Sequence, residues 1–198
     1  MQPPGNLPID VLLKVPDSLP IPEDDGACSH LPGKHLPSVA LQATSGQRVN
    51  LADLPGYLVV YCYPMTGRPG VPIPNGWTSI PGAAGCTPQS CAFRDSHDKI
   101  RALGASVYGI SAQAEEDQSE AAARLGLPYV LLSDSALEFA DTLGLPTFAA
   151  EGRRLIKRVT LIAHAGKVVK YFYPVFPPDQ NANEVMKWLN TVKNSPDI

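Results

Sequence analysis

Two cysteines stand five positions apart in "PGAAGCTPQSCAFRD", Cys86 and Cys91. The stretch passes from a Gly-rich turn into a helical pattern, so Cys86 falls at a predicted helix N-terminus. Unpaired backbone N–H groups and the positive end of the helix dipole stabilise an anion there. Such positions favour the thiolate, the nucleophilic form of cysteine. Pro88 lies in the first turn, where its missing N–H costs little. Cys91 lies deeper in the same helix. In an intact helix, residues i and i+5 have Cα atoms roughly 8–9 Å apart, from a rise of about 7.5 Å and a rotation near 140°. A disulfide needs a Cα separation below about 7 Å. The two thiols therefore bond only if the first turns unwind. Two blander readings fit the same residues. The cysteines are small buried side chains, or they bind zinc together with His97. The spacing matches no common zinc motif, and a second Cys or His pair is missing.

The chain has 198 residues, 44% of them apolar and 18% charged, which suits one domain with a sizeable core. A net charge of −3 without a basic stripe argues against nucleic acid as a partner. No apolar run approaches the roughly 18 residues that a membrane helix needs. "MQPPGNLPIDVLLKV" lacks the charged and apolar regions of a secretory signal. A cytoplasmic location is the expectation. In that compartment four cysteines point to reactive, metal-binding or buried thiols rather than a disulfide scaffold. No cofactor is indicated.

Those residues need a scaffold, and the pattern supplies one. Eight of the 21 prolines fall before Ser38, so residues 1–37 read as an extended Pro-rich arm, with "DVLLKV" a short turn or strand inside it. Residues 38–198 form the domain. "SVALQATSGQRVNLADL" alternates on both sides of Ser45-Gly46, a hairpin signal. "YLVVYCYP" reads as a strand buried on both faces. After a Gly- and Pro-dense loop, a helix runs from Cys86 to Gly104, with Arg94–Asp98 and Asp95–Lys99 at ion-pair spacing. "SVYGIS" is a strand, Ser111 caps a helix to Leu125, "YVLLSD" is a strand, and Ser135 to Leu143 a short helix. "LIKRVTLIAHAGKVVKYFYP" gives two strands joined at Ala165-Gly166, and Asn181 to Val192 closes the chain as a helix. This order predicts an α/β, thioredoxin-like fold: a mixed central sheet flanked by helices, with an added N-terminal β-hairpin.

At "GCTPQSCAFRD" the sequence resembles the peroxiredoxins, and within them the bacterioferritin-comigratory or peroxiredoxin Q group. That group carries Gly-Cys-Thr-x-x-x-Cys-x-Phe-Arg-Asp at this point. "YCYP", "YGIS", "LLSD" and "KRVTLIAHAGKV" extend the resemblance from about Leu36 to Leu189. It implies that Cys86 attacks a peroxide and becomes a sulfenic acid, and that Cys91 resolves it to an intramolecular disulfide. Thioredoxin or glutaredoxin would then restore the thiols. It implies further that Arg158, on a strand facing the site, stabilises the thiolate and holds the peroxide. The protein would be a monomer or a homodimer.

The sequence also departs from the family pattern, which places a proline seven residues before the reactive cysteine and a Thr or Ser three before it. Here Ala83 stands at the hydroxyl position, and the strand-end proline is Pro64, with a loop of about fifteen extra residues inserted before Cys86. Pro64 keeps the proline role. Thr66 is the first candidate for the hydroxyl, with Thr78 and Ser79 behind it. Trp77 in this loop either plugs the site or forms a contact surface. Cys62 reads as core, Cys28 as an arm residue without an activating neighbour, and Arg94 as a partner of Asp98. The alternative function is a redox-sensing module that uses the same cysteine switch without peroxide turnover.

Overall fold

The computed structural model describes residues 14, 15 and 18–194. The element expected at "DVLLKV" lies outside the described residues, apart from Lys14 and Val15, which form neither helix nor strand. A seven-stranded mixed sheet runs through the molecule in the order β2-β1-β5-β4-β3-β8-β9. The hairpin β1 (Ala40–Ala43) and β2 (Arg48–Asn50) pairs antiparallel to β5 (Leu131–Ser133). At the centre β3 (Tyr57–Cys62), β4 (Ala105–Ser111) and β5 are parallel. Antiparallel β8 (Val159–His164) and β9 (Lys167–Phe172) complete the other edge.

Parallel neighbours need crossovers, which α1 (Cys86–Ala102) and α2 (Glu115–Leu125) provide. The alternation of β3 assigns the two faces of the sheet. Val59, Tyr61 and Tyr63 meet Phe93 and Ile100 of α1 and Val185 and Leu189 of α4 (Asn181–Lys193). Leu58, Val60 and Cys62 face the opposite core with Phe139 and Leu143 of α3 (Glu138–Leu143). Both faces are covered, which is why β3 is an unbroken apolar run.

Several expectations are corrected. The described part of the arm contributes to the core: Cys28 and Leu31 are fully buried and Leu36 nearly so, beneath β1 and β3. Ser111 does not cap α2. It ends β4, and its hydroxyl donates to the Pro64 carbonyl at 3.2 Å; Ala114 is the cap residue. Arg94 pairs with the adjacent Asp95 at 2.8 Å and donates to the Leu125 carbonyl at 2.8 Å, not to Asp98. One hairpin was not anticipated, β6 (Thr147–Ala150) with β7 (Arg153–Ile156). The inserted loop packs on it. Trp77, 6% exposed, joins Ala83, Ala150 and Leu155, with its ring 6.0 Å from that of Phe148.

Candidate active site

Cys86 is the first residue of α1, and Gly85 before it has φ 97°. A Cβ on Gly85 would stand 2.4 Å from Cγ of Pro178, so both the backbone angle and the packing require glycine. No side chain caps this helix end. The polar partners of the sulfur come from elsewhere. Arg158 Nη2 donates to Cys86 Sγ at 3.1 Å, to the Ala84 carbonyl at 2.9 Å and to the Ala83 carbonyl at 3.2 Å. The sulfur also lies 3.5 Å from the Ala83 oxygen. Cys86 and Arg158 are each 3% exposed. Arg158 sits in the two-residue link between β7 and β8, just before the strand on which it was expected.

A buried guanidinium is costly unless its donors are satisfied and its charge is met. Nη1 bonds the side-chain oxygen of Gln89, while Nε has no partner among the described residues. Gln89 Nε2 donates to Asn181 Oδ1 at 3.0 Å, which also accepts from Thr160 Oγ1 at 2.7 Å. Gln89, Asn181 and Thr160 are fully buried. Carbonyls and amides accept from Arg158, and all are neutral. Of the groups bonded to it among the described residues, only the sulfur is able to carry a negative charge. Sequence reasoning missed Gln89, Asn181 and Thr160. Gln89 carried a signal, since it stands one helical turn after Cys86; Asn181 and Thr160 reach it only through the fold.

Cys91 lies one and a half turns on, half-buried, with its thiol pushed up by burial; Arg94 opposes that shift and Asp95 adds to it. Both cysteines are free thiols on a continuous helix. Pro64 is buried at the end of β3, where its carbonyl holds Ser111. Thr66 is 4% exposed, but its hydroxyl and its N–H both donate to Gln113 Oε1, at 3.2 and 2.8 Å. Thr78 and Ser79 are exposed. Cys62 and Cys28 are fully buried, and burial pushes the Cys28 thiol up to about 12. His97 packs its ring 5.9 Å from that of Tyr129. Among the described residues no three His, Cys, Asp or Glu side chains group as a metal site. No helix among them is long and apolar enough to cross a membrane.

The arm closes the other side of Arg158. A cavity of about 220 Å³ is bordered by Arg158 and Lys157, by Pro22 and Glu23 of the arm, by Ile80 of the inserted loop and by Phe148. A latch fastens the arm here. Lys157 Nζ donates to Asp25 Oδ2 at 2.8 Å, and Tyr173 Oη donates to Asp25 Oδ1 at 2.9 Å. These bonds, that from Lys157 foremost, hold the Asp25 carboxyl down at about 2.

The family model for redoxin matches residues 31–186. The chain belongs to the redoxin family. Peroxiredoxin Q of Sedum lineare, a chloroplastic protein, is 32% identical over 165 residues, covering 81% of this chain and 78% of its own. Peroxiredoxin Q of Gentiana triflora is 31% identical over 187 residues, covering 91% and 78%. Among solved structures, the peroxidoxin BcpB of Mycobacterium tuberculosis superposes with a TM-score of 0.67 at 24% identity, over 82% of this chain and 99% of that one. A peroxiredoxin Q mutant of Xylella fastidiosa gives 0.67 at 20% identity, over 82% and 98%. This chain is thus a peroxiredoxin of the Q and bacterioferritin-comigratory group, a thiol peroxidase on a thioredoxin-like fold.

Proposed function

We propose that the chain reduces hydrogen peroxide or organic hydroperoxides through Cys86 as the attacking thiolate and Cys91 as the resolving thiol. The observation that carries this is the buried Arg158 guanidinium on Cys86 Sγ, the sulfur being, among the described residues, its only partner able to take a negative charge. The thiolate attacks one peroxide oxygen. The O–O bond breaks, the sulfur becomes a sulfenic acid, and the other oxygen leaves as water or alcohol after taking a proton. Arg158 stabilises the charge on sulfur before the step and on the departing oxygen during it. Cys91 then condenses with the sulfenic acid, forming the S–S bond and releasing water. Helix α1 unwinds for this step, because five helical residues hold the two Cα atoms too far apart. Thioredoxin or glutaredoxin reduces the disulfide by exchange, in the cytoplasm, with the protein acting as a monomer or a homodimer. No step is routed through Thr66, whose hydroxyl is engaged by Gln113.

Following NADPH consumption with thioredoxin, its reductase and peroxide tests this function. Turnover is expected for the wild type, to be abolished in Cys86→Ser and impaired in Cys91→Ser. A disulfide that forms without turnover, whichever reductant is supplied, would point instead to a redox-sensing module.

A further inference from the structure

We propose that Tyr61 and Tyr129 are positioning residues that set how fast the Cys86–Cys91 segment unwinds, by holding Ser90 from outside the helix. The inference rests on the two-cysteine mechanism proposed above. Ser90 lies between the two cysteines, one residue before Cys91, and is fully buried. Tyr129 Oη donates to its carbonyl oxygen at 2.8 Å. Tyr61 Oη lies 3.1 Å from Ser90 Oγ and 3.1 Å from Tyr129 Oη. Tyr61 belongs to β3, and Tyr129 stands just before β5. A residue of β3 and a residue just before β5 therefore hold Ser90, which lies in the segment that must unwind between Cys86 and Cys91.

The fold is built to seat this pair. Gly109 of β4 lies beneath Tyr61, where a Cβ would come within 2.8 Å of the phenol carbon and oxygen and 2.6 Å of Leu131. The Tyr61 ring stacks on Phe93 of α1 at 4.7 Å, and Tyr129 meets it edge-on at 6.0 Å. Burial pushes the pKa of both phenols well above the ordinary range, so both hydroxyls keep their protons. The carbonyl of Ser90 also faces the helical N–H four residues on, so it is not left orphaned when the phenol is removed.

Two fates compete for the sulfenic acid. In resolution the Cys91 sulfur attacks the Cys86 sulfur, the S–S bond forms, the S–O bond breaks, and the hydroxyl leaves with the thiol proton as water. In overoxidation a second peroxide converts the sulfenic acid to a sulfinic acid. A brace on Ser90 slows only the first, because attack by peroxide uses the wound helix. Loosening the brace shifts the partition toward disulfide.

The test is to oxidise the reduced protein with graded peroxide and to resolve disulfide from sulfinic acid by intact mass and peptide mapping. Tyr129→Phe keeps the ring and loses the bond to Ser90. It should form the disulfide roughly fivefold faster than wild type, as expected for one buried hydrogen bond. It should need correspondingly more peroxide for half-overoxidation, with the rate of the first oxidation unchanged. Tyr63→Phe is the control. Tyr63 stacks on Tyr61 at 5.4 Å, and its buried hydroxyl has no partner among the described residues, so its removal should leave the partition at the wild-type value. A Tyr129→Phe partition equal to wild type, or shifted toward sulfinic acid, overturns the brace, as does an equal shift in Tyr63→Phe. If the wild type forms no Cys86–Cys91 disulfide at all, the two-cysteine mechanism fails and the brace with it.

Discussion

Arg158 is the residue on which the proposed chemistry turns. It is buried, it bonds the sulfur, and Gln89 and Asn181 hold it in place. Replacing Arg158 by Ala should lower the rate of peroxide reduction by roughly 10²-fold or more, the usual cost of losing a preorganised charge donor. Stopped-flow oxidation of Cys86 measures it. A loss of only a few-fold would mean that the helix terminus alone activates the sulfur. Thr66 behaves differently in this account. Because its hydroxyl and N–H close on Gln113, Thr66→Val should cost about 1 kcal/mol of stability and leave peroxide reduction close to wild type. A large rate loss in that variant, at unchanged stability, would return the hydroxyl to the site. The placing of Cys86 at the start of α1 and of Cys91 deeper in the same helix was legible from the sequence, because helix geometry is local. Arg158 was legible only through the family resemblance. Its supports were not, because Gln89 and Asn181 are 92 positions apart and meet only once the sheet and α4 are assembled.

At the scale of elements, α1 depends on how it begins. Gly85 supplies a left-handed turn and makes room for Pro178. Gly85→Ala should destabilise the protein by about 2 kcal/mol or more, from the strained backbone and the contact with Pro178 together. Urea unfolding reads this directly, and a neutral result would show that the helix start has slack. The strands with strong apolar periodicity were readable, β3 above all, since burial on both faces leaves an unbroken run. The β6–β7 hairpin was not. Its strands are four residues each, Arg153 and Arg154 stand exposed on β7, and its apolar partners Trp77 and Ile80 come from the inserted loop. Ser111 misled for a related reason: a hydroxyl before a helical pattern looks like a cap until the Pro64 carbonyl claims it.

On the scale of the whole molecule, the described part of the Pro-rich segment packs against the sheet. It buries Cys28 and Leu31 and walls the cavity beside Arg158. Asp25 fastens it through Lys157 and Tyr173, and these bonds lower the Asp25 carboxyl from 3.8 to about 2. The depressed value fixes the sign. This latch contributes stability above about pH 4 and loses it as the pH falls through about 2. Because Asp25 is half-exposed, the contribution is small. Asp25→Asn should therefore flatten the fall in stability between pH 4 and pH 2, as followed by urea midpoints. An undiminished fall would assign the acid sensitivity to other carboxylates.

The central claim is that Cys86, not Cys91, meets the peroxide. The direct measurement gives the Cys91→Ser variant one equivalent of peroxide in the presence of dimedone and locates the adduct by peptide mapping. The account predicts a sulfenic acid adduct on Cys86, appearing at the rate at which wild type forms its disulfide or faster. An unmodified Cys86 with peroxide left unconsumed would contradict it. So would an adduct on Cys91 in the reciprocal Cys86→Ser variant, formed just as fast.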